Sequence, residues 1–262
     1  MIYEHQIDPA ILRIGNVEFR WYGLMYIMGF LFSYIFFQIC RKKKLFNLSE
    51  EEILDLIFYL FFGMVLGARI FYIIFYNLSY YLEHPLKIFF VWEGGFSFHG
   101  GLTGIILSGL FFCRIYKKSF LHIADLAVIP ASMALGLGRI GNFINGELWG
   151  RPTNGQWGVI FPHAPDDLPR HPSQIYEFFK NELIFLTLLF VFLIKKDRKD
   201  GVIFSFFLML YGFLRFCVEF IREPEIVKFG LTMGQILSIP VFVAGVLVFY
   251  RVKSNLSSPV EK

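Results

Sequence analysis

With 262 residues, 56% of them hydrophobic and only 18% charged, the chain is far more apolar than a soluble domain, whose charged share is about 25%. Its 34 Phe residues, mean hydropathy of +0.56 and recurrent long apolar runs identify a polytopic helical membrane protein with no room for a separate soluble module. The net charge of +4 follows from where its loops lie and does not point to a nucleic-acid partner.

Seven membrane-spanning helices are predicted, at roughly 20–40, 53–75, 96–113, 121–141, 174–194, 201–221 and 233–250. The first is no cleavable signal, because its basic cluster follows it and no small-x-small site comes after. Loops after spans one, three, five and seven hold Arg41–Lys44, Arg114, Lys117, Lys118, Lys195, Lys196, Arg198, Lys199, Arg251, Lys253 and Lys262, fourteen basic residues. The opposite side has seven: Arg13, Arg20, Lys87, Arg151, Arg170, Arg222 and Lys228. The positive-inside rule then sets the N-terminus outside and the C-terminus in the cytoplasm.

That orientation sorts the polar residues met along the chain. Span one opens with Tyr22 on the outer side. Span two carries Arg69 in its outer half and Asp55 near its inner end, where Asp55, like Asp125 of span four, reads as an interfacial or capping carboxylate. Gly63-x-x-x-Gly67 in span two and Gly100-x-x-x-Gly104 in span three suit close helix packing. His99 opens span three; an imidazole there is either a cap or a proton acceptor. Span four ends in GRIGNFINGELWG, Gly138–Gly150, which puts Arg139, Asn142, Asn145 and Glu147 at its outer mouth. Buried charges and amides cost several kcal/mol unless paired, so this cluster is either a structural plug or a headgroup site in which Arg139 grips a phosphate.

Residues 151–170, rich in Pro and Gly, form a short outer loop with room for a small hairpin, and Trp149 and Trp157 suit the interface. HPSQIYE at 171–177 looks like a helix start in which Glu177 serves the site or only complements the helix dipole. On span six, Tyr211, Arg215, Glu219 and Arg222 fall on one stripe; Arg215 and Glu219 either lock the bundle or face a ligand.

Several chemistries drop out. Gly136–Gly141 matches GxGxxG but lies inside an apolar span with no preceding strand, so its glycines are read as packing positions. Cys40, Cys113 and Cys217 are isolated, and no metal-ligand spacing or G-x-S-x-G elbow occurs; no metal, cofactor or covalent nucleophile is expected. A transporter or channel would spread polar groups to the midplane or both sides and show inverted repeats, whereas here they crowd one leaflet. An intramembrane protease would need a Ser/His or Asp pair.

The motif at 138–150 closely resembles the signature of the prolipoprotein diacylglyceryl transferase family. So do Arg20-Trp21-Tyr22-Gly23, His99-Gly100-Gly101-Leu102, HPSQIYE, Tyr211–Arg215 with Glu219, and Met233–Ser238, in family order over nearly the whole chain. The resemblance implies one integral-membrane domain over 1–262, of seven helices. It implies an enzyme of the bacterial cytoplasmic (inner) membrane, with its site facing the outer leaflet. There it moves the diacylglyceryl group of phosphatidylglycerol to the lipobox cysteine thiol of a prolipoprotein signal peptide, the first step of lipoprotein maturation, releasing glycerol phosphate.

By the same resemblance, Arg139 and Arg215 bind the phosphate and stabilise its growing charge, and His99 is the base for the thiol. Asn142, Asn145 and Glu147 orient headgroup and arginines, and Tyr22 and Tyr211 hydrogen-bond at the interface. Gly150 and Glu219 complete the substrate-binding set. Its partners are phosphatidylglycerol, the signal peptide and membrane lipids, with no nucleic acid and no cofactor.

Overall fold

A computed structural model describes residues 1–15, 17–195, 198–224 and 226–254. Lys196 and Lys262, two of the fourteen basic residues assigned to one side, lie outside the described residues. The chain is mostly helical and divides into two compact units, one of Met1–Phe32 with Ala124–Lys262, the other Ser33–Ile123.

Each predicted span is a helix: α1 (Trp21–Lys42), α2 (Glu50–Tyr76), then beyond a short α3 (Leu78–Glu83), α4 (Phe98–Ile115), α5 (Phe120–Ile144), α6 (Ser173–Ile194), α7 (Val202–Val218) and α8 (Met233–Ser254). Five of these, α1, α2, α4, α5 and α8, are long and apolar enough to cross a membrane, and α7 is a shorter apolar helix. The 22-residue α6 is interrupted by Glu177, Lys180 and Glu182, too many charges for a plain lipid-facing helix. Large apolar side chains such as Ile27, Leu66, Phe190 and Leu247 cover the helix exteriors, as expected of surfaces solvated by lipid. The protein is therefore a multi-pass helical membrane protein.

In the Ser33–Ile123 unit, α2 starts at a capping box. Ser49 Oγ accepts the Glu52 amide at 3.0 Å, and Glu52 Oε2 accepts the Ser49 amide at 2.7 Å, so two of the helix's orphan donors are satisfied. The two GxxxG pairs face each other as expected: a Cβ at Gly67 would stand 2.8 Å from Gly104 Cα, so α2 and α4 touch backbone to backbone. Asp55 accepts the Tyr116 hydroxyl.

In the other unit, Asp125 has the capping role expected of it. Its two oxygens accept the Gly201 and Phe204 amides at 2.8 and 2.7 Å, at the start of α7. Ile129, Ile184, Leu188 and Ile203 form its apolar interior. Small ribbons supplement the helices: β1 (Ile2–Glu4) runs parallel to β4 (Gly158–Ile160), β2 (Ala10–Ile14) pairs antiparallel with β3 (Val17–Arg20), and β5 (Val227–Lys228) with β6 (Leu231–Thr232). The 151–170 segment thus pairs with the chain's first residues, and bridges from Pro152 and Val159 to Arg170 close it on itself.

Candidate active site

All the residues expected in the site except His99 lie in the unit of Met1–Phe32 and Ala124–Lys262. Helix α5 ends where Gly146 takes φ +66°, a left-handed conformation that glycine adopts without strain. The Gly146 amide reaches Phe143 O at 2.9 Å and the Glu147 amide reaches Asn142 O at 3.1 Å, the paired bonds of a Schellman motif. This reversal brings Glu147 back over the last helical turn. Its Oε1 accepts Asn142 Nδ2 at 2.8 Å and Asn145 Nδ2 at 3.2 Å, while Asn142 Oδ1 accepts Arg139 Nη1 at 3.4 Å. Four residues expected to act together are therefore one connected chain of contacts, Arg139–Asn142–Glu147–Asn145.

The start of α6 is tied to the same turn, with Ser173 Oγ donating to Leu148 O at 2.8 Å and Gln174 Nε2 to Glu147 O at 2.7 Å. One turn further along α6, Glu177 is buried and surrounded by cations. Its Oε1 lies 3.0 Å from Arg222 Nη1 and 3.3 Å from Arg215 Nη1; its Oε2 lies 3.1 Å from Lys180 Nζ and 3.3 Å from Arg139 Nε. Arg215 also contacts Glu219, one turn on along its own helix. Four cations thus surround two carboxylates, an excess of positive charge that a buried cluster retains only with strong compensation. Glu177 does far more than complement a helix dipole: it is the hub that gathers α5, α6, α7 and the turn after α7.

The other residues expected in the site fall into three settings. Tyr22 packs on the bare face of α5 at Gly141, where a Cβ would stand 2.7 Å from its ring, and its hydroxyl is 3.2 Å from that of Tyr26. Tyr211 lies under Lys180, whose Nζ is 4.4 Å from the ring centroid. Gly150 has no side chain to offer a ligand; a Cβ there would lie 2.8 Å from His171 O and 2.9 Å from Ile221 O, so it is the close crossing that brings Arg222 alongside the motif. His99 belongs to the other unit, on the exposed first turn of α4, its ring edge-on to Phe98 at 5.8 Å.

Of the three glycines of the GxGxxG match, Gly136 faces α6 and Gly141 faces Tyr22, as packing positions should, whereas Gly138 meets nothing within 4 Å. Beside the site, burial lowers the pKa of His171 below the ordinary histidine value and so favours its neutral form. Two further residues, Lys180 and Gly234, belong to the cluster without a pattern in the sequence that marks them. Gly234 leaves the space that the Glu219 carboxylate fills, and the only sequence signal for Lys180 is a charge inside an apolar run.

The profile described as "Prolipoprotein diacylglyceryl transferase" matches residues 9–251. The chain belongs to the prolipoprotein diacylglyceryl transferase family. Among its relatives, the phosphatidylglycerol–prolipoprotein diacylglyceryl transferase of Geobacter sulfurreducens is 48% identical, the match covering 97% of this chain and 98% of that protein. The proteins of the same name from Bordetella avium and Legionella pneumophila are 47% and 41% identical, covering 95% of this chain and 96% and 99% of theirs. In this diacylglyceryl transferase family member the match runs through both compact units and spans every residue of the Glu177 cluster.

Proposed function

We propose that the chain transfers the diacylglyceryl group of phosphatidylglycerol to a prolipoprotein, using the cations around Glu177 to hold the headgroup phosphate. The observation that carries this reading is the positive excess at Glu177, which fits an anionic headgroup at the level of membrane helices. The acceptor is the lipobox cysteine of the signal peptide. Its thiol, with a pKa of about 8.5, reacts as the thiolate. The sulfur attacks the glycerol carbon attached to the phosphate ester oxygen; a C–S bond forms, the C–O bond breaks, and glycerol phosphate departs carrying the bonding pair. The thiol proton passes to a base, and His99 is the assigned acceptor.

Arg139 and Arg215, joined by Arg222, neutralise the charge that grows on the leaving phosphate. A preorganised donor of this kind contributes about 3–4 kcal/mol to the transition state. Glu147, held by the two asparagine amides, presents an acceptor suited to the hydroxyls of the headgroup glycerol. Tyr22 and Tyr211 line the same site, and Gly150 and Glu219 set the positions of Arg222 and Arg215.

Residues 1–262 act as one transferase domain, a reading supported by the family match across both units. We place it in the bacterial cytoplasmic (inner) membrane with seven spans, N-terminus outside, C-terminus inside and the site at the outer leaflet. The five helices long and apolar enough to cross a membrane, the shorter apolar α7 and the fourteen-to-seven basic bias of the loops support that placement. Incubating the purified protein with phosphatidylglycerol and a lipobox peptide, then weighing the peptide, tests the reaction. A diacylglyceryl adduct is expected on the Cys peptide and none on its Cys→Ser counterpart; no adduct on either would sink the transferase reading.

A further inference from the structure

Within the Glu177 cluster the four cations are not equivalent. Lys180 is as deeply enclosed as the carboxylate, at 3% side-chain exposure against 1%, whereas Arg139, Arg215 and Arg222 keep 18%, 15% and 12%. The two oxygens of a carboxylate offer about four acceptor directions. Here Arg222 donates to Oε1 at 3.0 Å and Lys180 to Oε2 at 3.1 Å, while Arg215 and Arg139 stand beside the same two oxygens in charge contact at 3.3 Å. Arg222 therefore donates a single hydrogen bond to Glu177, Arg139 and Arg215 contact it without one, and none of the three guanidiniums is locked onto it as a two-pronged fork.

We infer that Lys180 is a positioning residue for the phosphate site, filling one acceptor direction of Glu177 so that the arginines keep their forks for the lipid headgroup. Arg paired with a carboxylate prefers the bidentate arrangement, and a vacated direction on Oε2 invites it. Arg139 is the neighbour on that oxygen, so it is the arginine that would close onto Glu177 and leave the ligand. The same ammonium sits over the Tyr211 ring, so its loss also frees that residue of the site. Lys180 thus touches no reacting atom; it acts through Glu177, Arg139 and Tyr211. This inference rests on the reading of the cluster as the headgroup site.

The test is a double-mutant cycle of Lys180→Met and Glu177→Gln in the full-length protein, with kcat and KM for phosphatidylglycerol measured separately. Lys180→Met is expected to raise KM about tenfold, the scale of one lost charge-assisted contact, with a smaller fall in kcat. Glu177→Gln alone leaves four cations facing only Glu219 and is expected to be at least as impaired. The double variant removes a neutral pair, so it is expected to be more active than either single variant. Losses that multiply in the double variant, or an unchanged KM in Lys180→Met, would overturn the inference. Where Lys180→Met fails to fold, Lys180→Gln takes its place in the same cycle. Equilibrium binding of labelled phosphatidylglycerol to the four proteins reads the coupling without turnover. An inactive wild type that still shows the binding cycle would therefore count against the transferase reading and not against Lys180.

Discussion

Arg69 and Arg139 are both arginines set within apolar helices, and their surroundings differ in kind. Arg69 is buried, and its guanidinium is spent on backbone carbonyls: Nε donates to Ile88 O at 3.1 Å, Nη1 to Gly94 and Gly95, and Nη2 to Lys87 at 2.6 Å and Phe90 at 3.4 Å. Tyr81 covers it, with the ring centroid at 5.1 Å. Gly94 and Gly95, at φ +83° and +79°, turn their carbonyls toward it. That arginine organises the 85–95 loop and has no capacity left for a ligand. Arg139 shares a single carboxylate with three other cations and reaches one amide oxygen. A buried arginine marks a site when its partners are too few for its charge; when they are complete it marks a scaffold.

The sharpest way to break this contrast is to remove Arg139. Arg139→Ala is expected to lower transfer by about 10²–10³-fold while the protein still inserts and purifies as a folded species. Arg139→Lys should remain poor, because a point charge does not replace the fork. Near-normal adduct formation in the peptide mass assay would remove Arg139 from the chemistry. Arg215→Met comes next, at about 10²-fold, because Arg215 divides itself between Glu177 and Glu219. If its thermal unfolding midpoint collapses and the surviving folded protein turns over normally, Arg215 only locks the bundle.

His99→Ala sharpens the comparison from the side of the proton. The rate is expected to fall most at low pH, where spontaneous thiolate is scarce, and to approach wild type as the pH nears the thiol's own pKa. Parallel pH–rate curves, separated by a constant factor, would make His99 a positional residue and leave the base unassigned.

What the sequence made legible follows the range of each signal. Apolar runs carry their own length, so every long helix lies within a few residues of its expected place. The expected end of the sixth span at 221 falls beyond α7, which stops at Val218 and tightens into turns, with the Phe220 amide on Cys217 O at 3.3 Å and the Ile221 amide on Val218 O at 3.0 Å, before Arg222 bridges Gly150. The Asn-Gly step at 145–146 is equally local, and it folds Arg139, Asn142, Asn145 and Glu147 into one group. Long-range geometry had no such signal. The pairing of Ile2 with Gly158 joins segments too short to show alternation. The role of Glu177 depends on cations from three segments besides its own helix, none of which announces its direction in the sequence. In the sequence Lys180 is a charge in an apolar run; its contacts with Glu177 and with the Tyr211 ring exist only in the fold.

The smallest effect on turnover is expected from Arg69, and it tests the other half of the contrast. Arg69→Leu strips the donors from the 85–95 carbonyls, and each that stays buried without a partner costs about 1–3 kcal/mol. Water reaching the loop will recover part of that loss, so about 2–4 kcal/mol of destabilisation is expected, read as a lower unfolding midpoint and faster proteolysis between residues 85 and 95. The transfer rate per folded molecule should stay within about threefold of wild type, since no cation of the Glu177 cluster has been touched. A loss as deep as that of Arg139→Ala, in protein that remains folded, would mean that a fully satisfied arginine can still be part of the chemistry. The distinction between scaffold and site would then have to rest on something other than the count of partners.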